Sequence, residues 1–458
     1  MKYFSTRDKN LNFSFKDIFL RGLAPDGGLF LPAEIKKYNQ TDLKNLSALS
    51  YVDLSTEIIF NFCKDDIEKN QLKILVEKAY SNFNNKNVVE LKKIGNFNLL
   101  ELYHGPTLAF KDIALQVMGN MYDHLKVAQS KIVNIVVATS GDTGAAAISA
   151  LNDRKNINVF VLHPHNKISN IQRKIMTTIG SKNIFNIAIK GSFDDCQRIV
   201  KDMFNENEFR KKINMSGVNS INWARIVCQI VYYFYAFFKI GKQNISFSVP
   251  TGNFGDIYAG YIAKKMGLPI DKLIVATNEN DILQRVINTG EYKPGKVKPS
   301  LSPSMDIQVS SNFERLLFDI VGEDDKKVFS LMSDLSKSGF FKLNQDEIKI
   351  LKKDFCAEKI NDIETLSIIK NLNLESKFVL DPHTATALGA AKKIGNLSNI
   401  IIFGTAHPYK FLETIKKATG NEINPPLQLS NIVDKEEKFD ILENNISKIK
   451  NYILEKAI

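Results

Sequence analysis

Tryptophan, cysteine and long apolar runs are scarce in this sequence. The 458 residues include one tryptophan and four cysteines, and the cysteines lie far apart without a CxxC pair. Their spacing excludes a cysteine zinc site, and the length of the chain argues against a disulfide-stapled scaffold. No stretch reaches the roughly 18 consecutive apolar residues of a membrane span, and no apolar signal segment follows the first residues. We therefore expect a cytoplasmic protein with no membrane partner.

Positive charge is in excess but is not concentrated in one place. The formal net charge is +11, yet the lysines are spread along the whole chain, and paired lysines such as those at 326–327 lie close to acidic residues. No zinc-finger, RNA-recognition or basic-zipper pattern accompanies the charge. Such a distribution is typical of a solvated surface, so we expect no nucleic-acid partner.

The order of the sequence patterns predicts an α/β fold with two lobes. From residue 98 onward, short β-branched runs alternate with small-residue loops and helical periodicity, which is typical of mostly parallel sheets covered by helices. Strands are predicted at 132–137, 159–162, 184–189, 245–249, 273–276, 378–380 and 400–403. The predicted divisions are an N-terminal region (1–85), a first α/β lobe (86–225), a second α/β lobe (226–410) with a helical insertion at about 280–365, and a C-terminal helical segment (411–458).

Glycine-containing turns follow three of the predicted strands. They read ATSGDTG at 138–144, PTGNFGD at 250–256 and GTAHP at 404–408. In an open α/β sheet, ligands lie beyond the carboxyl ends of the strands, so the three turns are expected to face one cleft. Exposed amides at a helix N-terminus bind anions, and glycine lets the backbone come close to them. The turn at 250–256 is therefore a candidate phosphate site, with plain loop punctuation as the alternative.

A lysine stands in the apolar segment HGPTLAFKD at 104–112. Lys111 directly follows Leu108, Ala109 and Phe110. Burial among such side chains would lower the pKa of the lysine and leave a nucleophilic amine, as Schiff-base chemistry requires. A surface lysine at the start of a helix is the alternative. The residues alone thus give a candidate reactive lysine near a candidate phosphate site.

Four segments together resemble one enzyme family. HGPTLAFKD, ATSGDTGAAA, PTGNFGD and GTAHPYKF, in this order, resemble threonine synthases of the longer branch found in bacteria and fungi. The opening YFSTRD…GLAPDGGLFLP resembles the N-terminal region of the same family, so the likeness runs from about residue 3 to about residue 411. It implies a pyridoxal-phosphate enzyme of fold type II. The implied reaction converts O-phospho-L-homoserine and water into L-threonine and phosphate by γ-elimination and β-replacement.

The resemblance also implies how a cofactor would be held. Lys111 would carry pyridoxal 5'-phosphate as a Schiff base and later move protons on the substrate. Thr405 would hydrogen-bond the pyridine nitrogen. Asp142 would lie near the phenolic oxygen, where many relatives in the wider superfamily carry asparagine, and its role stays open. The residues implied to hold the cofactor phosphate through their amides are Gly252, Asn253, Phe254, Gly255 and Asp256.

Substrate binding is implied for two further groups of side chains. One group follows the strand that ends near 137, and the other belongs to the segment NSINWAR at 219–225. The forked donors of a guanidinium match phosphate oxygens, and neutral amide and hydroxyl groups add to them. The alternative for the second segment is a capped helix with an arginine in its first turn. The candidates are Ser140 and Thr143 for the substrate carboxylate, and Asn219, Ser220 and Arg225 for the substrate phosphate.

Three other functions share parts of this pattern. A threonine or serine dehydratase would keep Lys111 and the phosphate turn but needs no second anion site. A phospho-lyase would act on the same substrate and release 2-oxobutanoate, and an inactive amino-acid sensor would not need Lys111. Histidine and cysteine spacing gives no metal motif, so we expect no metal. Structural roles are favoured for His383 and His407, the role of His104 stays open, and we expect a monomer or small homo-oligomer.

Overall fold

The chain opens with a region of short strands and amphipathic helices. The computed structural model describes residues 1–126, 132–395, 397–432 and 434–457. In the opening region β1 lies between β2 and β3 in an antiparallel sheet, and side-chain caps fix several of the helix starts. Its elements are β1 (Tyr3–Ser5), β2 (Asp8–Phe13), α1 (Phe15–Arg21), β3 (Phe30–Pro32), α2 (Gln40–Ser47), α3 (Tyr51–Cys63) and α4 (Lys69–Tyr80).

The next part of the chain forms a parallel sheet covered by helices. A hairpin and a buried helix come first, followed by alternating strands and helices whose strands are buried along most of their length. The elements are β4 (Glu90–Ile94), β5 (Phe97–Glu101), α5 (Lys111–Lys126), β6 (Val133–Ala138), α6 (Asp142–Leu151), β7 (Ile157–Pro164), α7 (Asn170–Thr177), β8 (Ile184–Lys190), α8 (Phe193–Asn205), α9 (Asn207–Lys212), β9 (Met215–Ser216) and α10 (Trp223–Ile240).

A second sheet, with helices on both of its faces, follows α10. The segment between its second and third strands along this part of the chain is mostly helical and contains a small two-stranded sheet of β12 and β13. The elements are β10 (Ile245–Pro250), α11 (Gly255–Lys265), β11 (Ile270–Thr277), α12 (Ile282–Thr289), β12 (Glu291–Tyr292), α13 (Phe313–Ile320), α14 (Asp325–Ser338), β13 (Phe341–Lys342), α15 (Gln345–Asp354), β14 (Phe355–Lys359), α16 (Asp362–Ser376), α17 (Pro382–Ile394) and β15 (Ile400–Gly404).

The C-terminal part divides between the two sheets. It contains α18 (Leu412–Thr419), β16 (Asp440–Glu443) and α19 (Ile446–Lys456). Helix α18 packs against α16, whereas β16 and α19 lie on the five-stranded sheet. The five-stranded sheet has the order β16-β8-β7-β6-β9 with all pairs parallel, and the six-stranded sheet has the order β14-β11-β10-β15-β5-β4, parallel except for β4. The expectation of an α/β fold with mostly parallel, helix-covered sheets is confirmed.

The sheets divide the chain differently from the predicted lobes. Residues 90–101 were predicted in the first lobe, but β5 pairs with β15 in the six-stranded sheet. The C-terminal segment is not only helical, because β16 extends the five-stranded sheet beside β8. The predicted boundary at 226 falls inside α10, and the predicted insertion to 365 includes β14, an edge strand of the six-stranded sheet. A sequence pattern shows that a strand exists but does not name its partner.

The predicted strand at 378–380 is wrong. These residues form no strand and lead into α17, where Asp381 caps the helix by accepting hydrogen bonds from the amides of His383 and Thr384. Their apolar side chains pack into the core below the six-stranded sheet without pairing. A three-residue apolar run thus reflects burial here and not a β-ladder.

Helix α10 is the central element of the larger core. It packs against α3, α5 and α11, and most of its side chains are buried. Trp223 is fully buried there with its ring 5.8 Å from that of Phe62. Across the part of the chain that the structure describes, no helix combines the length and apolarity needed to cross a bilayer.

Candidate active site

The carboxyl ends of β6, β10 and β15 open on one cavity of about 1190 Å³. Because parallel strands end at the same edge of a sheet, the turns that follow them meet there. All of the site residues predicted from the sequence line this cavity. They are Lys111, Ser140, Asp142, Thr143, Asn219, Ser220, Arg225, Gly252, Asn253, Phe254, Gly255, Asp256 and Thr405.

Lys111 is the first residue of α5 and is 8% exposed. Its Nζ lies 3.2 Å from Asp142 Oδ2 and 3.5 Å from Ser304 Oγ. Burial lowers the pKa of Lys111; Asp142 opposes that effect, while the positive charges of Lys410 and Arg225 reinforce it. The surface-lysine alternative is therefore wrong, since this side chain is a buried amine that loses its proton more readily than a solvated one.

The turn before Lys111 is fixed by a buried carboxylate. Asp112 accepts hydrogen bonds from the Thr107 amide at 2.8 Å and the Thr107 hydroxyl at 2.7 Å. A Cβ at Gly105 would overlap the Asp112 side chain, so only glycine fits at this close approach. The segment at 104–112 is thus a rigid support that presents Lys111 to the cavity.

Asp142 lies between two lysines at the start of α6. Its Oδ2 faces Lys111, and its Oδ1 lies 2.6 Å from Lys410 Nζ and accepts a 2.9 Å hydrogen bond from Gln172. Burial alone would raise the pKa of Asp142, but the charges of Lys410 and Lys111 outweigh burial and hold the pKa well below its usual range. Lys410 and Gln172 were not identified from the sequence, where they look like ordinary polar residues.

Thr139 organises the turn at 138–144. Its hydroxyl accepts hydrogen bonds from the amides of Gly141 and Gly144, both at 2.9 Å, and Gly141 has a φ of 132° that favours glycine. The hydroxyls of Ser140 and Thr143 line the cavity and have no hydrogen-bond partner among the described residues. Both side chains are thus placed at a helix N-terminus and remain available to an anionic group.

The turn at 250–256 has unsatisfied amides. Phe254 adopts a left-handed conformation with φ 63°, and α11 begins at the next residue. Within the described part of the chain, no acceptor receives a hydrogen bond from the amides of 252–256, as expected for the first turn of a helix. The Asp256 side chain accepts a hydrogen bond from Tyr232 at 2.6 Å, and burial raises its pKa to about 7. The free amides of this turn could receive a compact anion.

Arg225 lies in the first turn of α10 and is 3% exposed. Its Nη1 donates to the Val218 carbonyl at 3.0 Å, while its Nε has no partner. Burial lowers the pKa of Arg225 to about 10, and no described carboxylate forms an ion pair with it. Asn222 caps α10 by accepting a hydrogen bond from the amide of Ala224. The segment at 219–225 is therefore also the capped helix start that was considered as the alternative. A buried cation without an anion is costly, so Arg225 is a candidate for binding an anionic group.

Thr405 follows β15 and is tied to the Lys111 segment. Its carbonyl accepts a hydrogen bond from the Phe110 amide at 2.9 Å, and its amide donates to the Thr384 hydroxyl at 3.2 Å. The side chain lines the cavity. These two hydrogen bonds join the end of β15 to the segment before α5 and to α17.

A loop at 300–312 forms a further wall that the sequence did not reveal. Ser304, in a short 3₁₀ turn, donates its amide to His383 Nε2 at 3.2 Å, and His383 Nδ1 lies 2.9 Å from Asp381 Oδ1. We call this Asp381–His383–Ser304 chain the latch. Through these two contacts His383 links the loop at 300–312 to the start of α17, which is a structural role of the kind expected for it. The serine-rich composition of residues 300–312 is that of an ordinary surface loop, so it gave no signal of a role in the site.

The same loop touches both candidate anion sites. Asn312 Nδ2 donates to the Asn253 carbonyl at 2.8 Å and to the Ser220 carbonyl at 3.2 Å. Ser310 Oγ donates to the Gly252 carbonyl at 2.7 Å. The loop therefore fixes the distance between the turn at 250–256 and the segment at 219–225.

The other histidines named from the sequence lie outside the cavity wall. Burial lowers the pKa of His407 to about 4, and its Nδ1 accepts a hydrogen bond from the Tyr409 amide. His104 lies in a cluster with Glu90 and Glu101 whose ligand atoms are within 4.8 Å of one another, a geometry that a cation could use. The Lys92 ammonium already lies 2.9 Å from Glu101 in this cluster, so it supplies the positive charge.

Comparison with known proteins places the whole chain in one family. Three family models match successive parts of it: "Threonine synthase N terminus" at residues 2–80, "Pyridoxal-phosphate dependent enzyme" at residues 88–341 and "Threonine synthase, C-terminal" at residues 384–453. The sequence is 42% identical to a threonine synthase of Pseudomonas aeruginosa over 99% of this chain and 98% of that protein.

Solved structures agree with the sequence relatives. The fold matches a crystal structure of threonine synthase with bound pyridoxal phosphate from Brucella melitensis, with a TM-score of 0.96, 41% identity, and coverage of 100% of this chain and 99% of that one. The yeast threonine synthase structure matches with a TM-score of 0.93 and 39% identity over 99% of this chain and 98% of that one. The chain belongs to the threonine synthase family of pyridoxal-phosphate-dependent enzymes.

Proposed function

We propose that this protein converts O-phospho-L-homoserine and water into L-threonine and phosphate, and that its cavity binds two phosphate groups at once. The observation that carries the proposal is Arg225, a buried guanidinium without a described carboxylate partner. It lines the same cavity as the unsatisfied amides of 252–256 and the buried Lys111. A dehydratase would have no use for the second of these anion positions.

The residues of the cavity fit pyridoxal 5'-phosphate. The amides of 252–256 would hold its phosphate, Lys111 would bind its carbonyl carbon, and Thr405 would face its ring nitrogen. The support is the first turn of α11, which presents several N–H groups without acceptors, beside a buried lysine of lowered pKa. The bound cofactor withdraws electrons from the substrate's Cα and so makes the proton on that carbon removable.

Two groups of side chains would orient the substrate. Arg225 would bind its phosphate with forked charge-assisted hydrogen bonds, helped by Asn219 and Ser220 on the neighbouring segment. Ser140 and Thr143 would bind its carboxylate at the N-terminus of α6, where unpaired amides favour an anion. Both ends of the substrate are then fixed, and the carbons between them lie near Lys111.

Lys111 would carry the proton transfers. As a free amine its Nζ removes the proton from the substrate's Cα, and a proton leaves Cβ next. The phosphate would then depart from Cγ into the Arg225 site, and Cγ would take up a proton to become the methyl group. The hydroxyl of a water molecule would add at Cβ while the remaining proton of that water goes to the departed phosphate, and Lys111 would return a proton to Cα.

We further propose that the protein works in the cytoplasm as a monomer or small homo-oligomer that binds no nucleic acid. The support is the even spread of its lysines along the chain. The four cysteines are free thiols, as a reducing compartment would keep them.

Arg225→Ala tests the second phosphate site. Each lost hydrogen bond to a charged group costs about 1.5–3 kcal/mol, so kcat/KM for O-phospho-L-homoserine should fall by about ten- to several-hundred-fold. Arg225→Lys should restore only part of the loss, because a point charge cannot reproduce the fork. Arg198→Ala, at an exposed arginine outside the cavity, is the matched control.

Binding of L-homoserine, which lacks the phosphate, separates the roles. Arg225→Ala should leave the affinity for L-homoserine close to that of the unmodified protein while weakening inhibition by inorganic phosphate. An equal loss for L-homoserine would assign Arg225 to the fold or to the carboxylate, and the two-phosphate proposal would fail.

A further inference from the structure

A second buried lysine stands behind the reactive one. Lys410 lies in the 3₁₀ turn Pro408–Phe411 that follows β15, and its side chain is 0% exposed. Its Nζ donates to the Thr107 carbonyl at 2.9 Å and lies 2.6 Å from Asp142 Oδ1. A lysine is held this deeply only when its charge is paired, so Asp142 is its anchor.

Asp142 must divide one negative charge between two lysines. The side chain of Asp142 is 3% exposed, and its Oδ2 lies 3.2 Å from Lys111 Nζ. Attraction between charges grows as they approach and is strong away from water. The shorter contact, with Lys410, therefore takes the larger share of the interaction and leaves Lys111 with a weaker partner.

The two other carboxylates near these side chains do not contact Lys111. Burial raises the pKa of Asp256 to about 7 and that of Asp112 to about 6, so near neutral pH Asp112 is mostly ionised and Asp256 partly ionised. Asp112 accepts hydrogen bonds from Thr107, and Asp256 accepts one from Tyr232. Arg225 adds a positive charge near Lys111. The titratable and charged groups that act on Lys111, Asp142 or Lys410 are Asp112, Arg225, Asp256, His383 and His407.

We propose that Lys410 is a positioning residue of the reaction: it holds Asp142 back from a full ion pair with Lys111 and so sets the pH at which Lys111 becomes a free base. The proposal rests on the assignment of Lys111 as the base. Lys410 touches neither substrate nor cofactor in this account. It acts only through the carboxylate that it shares with Lys111.

The two partners of Lys111 make opposite predictions. Lys410→Met keeps the length of the side chain but removes its charge, so Asp142 pairs with Lys111 alone and the pKa of Lys111 rises by about one to three units. Asp142→Asn removes the anion and leaves two lysines together, so the pKa of Lys111 falls. Lys410→Arg keeps the charge and should restore most of the normal value.

The pKa of Lys111 can be read without turnover. The full chain, freed of cofactor, is acetylated with acetic anhydride at a series of pH values, and the Lys111 peptide is quantified by mass spectrometry. Lys349, which is 77% exposed, serves as the internal reference. An upward shift in Lys410→Met together with a downward shift in Asp142→Asn is expected. An unchanged or lowered midpoint in Lys410→Met overturns the proposal.

Two further readouts keep the test decisive. If circular dichroism shows that Lys410→Met does not fold, the pH midpoint of Lys111 acetylation is compared between Asp142→Asn and Lys410→Arg instead. An unchanged midpoint in Asp142→Asn then overturns the proposal. In the cofactor-loaded enzyme, the acid limb of the kcat profile should shift upward in Lys410→Met, because Lys111 is a free amine only while the substrate is bound. Labelling involves no substrate, so its result stands even if O-phospho-L-homoserine proves to be the wrong substrate.

Discussion

The latch that joins α17 to the loop at 300–312 can be opened by one substitution. His383→Phe preserves the ring volume, and thus the packing of this ring 5.0 Å from that of Phe411, but removes both hydrogen bonds of the imidazole. The Ser304 amide then loses its acceptor. Asp381 loses the imidazole as a donor but still accepts hydrogen bonds from two backbone amides of α17. The loop should then detach locally without unfolding the helix.

The size of the effect follows from what the latch contains. A hydrogen-bond chain that ends on a charged group contributes about 1.5–3 kcal/mol. Local opening should therefore become about 10- to 150-fold more frequent. Amide hydrogen exchange of the peptide that covers 300–306, followed by mass spectrometry, measures this directly. Because Ser304 lies beside Lys111, kcat should fall as well.

His407→Phe is the matched control for the latch. His407 is also a largely buried histidine, but its ring accepts from Tyr409 and does not contact the loop. Exchange at 300–306 should be unaffected in this variant. Unchanged exchange in His383→Phe, or an equal increase in His407→Phe, would show that the His383 hydrogen bonds do not hold the loop in place.

Two other substitutions test the fold around the site. Gly252→Val should raise the cofactor dissociation constant, measured by equilibrium dialysis, more than tenfold. A Cβ at position 252 would lie 2.9 Å from the Ser304 carbonyl oxygen and would push the loop at 300–312 away from the turn at 250–256. Gly180→Ala should leave the dissociation constant unchanged, because a Cβ at position 180 would meet nothing closer than 3.8 Å. Burial lowers the pKa of His163 to about 4, whereas in the unfolded chain the same histidine binds a proton below about pH 6.5. The contribution of His163 to the free energy of unfolding is therefore complete above pH 6.5 and is lost as the pH falls to 4. The free energy of unfolding in urea should drop by about 3 kcal/mol over this range for this group, and His163→Phe should show a shallower decline; an equal decline would exclude His163 as its source.

The sequence predicted the parts of the site that obey a local rule. A glycine-containing turn that follows a buried parallel strand lies at the carboxyl end of that strand. The turns at 138–144, 250–256 and 404–408 therefore meet in one cavity. Lys111 was recognisable because a lysine within an apolar run conflicts with ordinary burial preferences. The free N–H groups of the turn at 250–256 could be predicted because a helix begins there.

Other parts depend on contacts that no local pattern encodes. Lys410 reads as an ordinary lysine near a helix start, and only the distance to Asp142 shows its burial and pairing. The latch joins residues about 80 positions apart along the chain. Pairing of β5 with β15 likewise joins segments far apart in sequence, and periodicity cannot specify a distant partner.

The proposed reaction can be followed through its oxygen atoms in H₂¹⁸O. When the purified, cofactor-loaded protein acts on O-phospho-L-homoserine, we expect equal amounts of threonine and phosphate. The ¹⁸O label should appear in the threonine hydroxyl and not in the phosphate, because water adds at Cβ and the carbon–oxygen bond breaks. Lys111→Ala should form neither product at a comparable rate. Main formation of 2-oxobutanoate and ammonia, or of homoserine with labelled phosphate, would contradict the account.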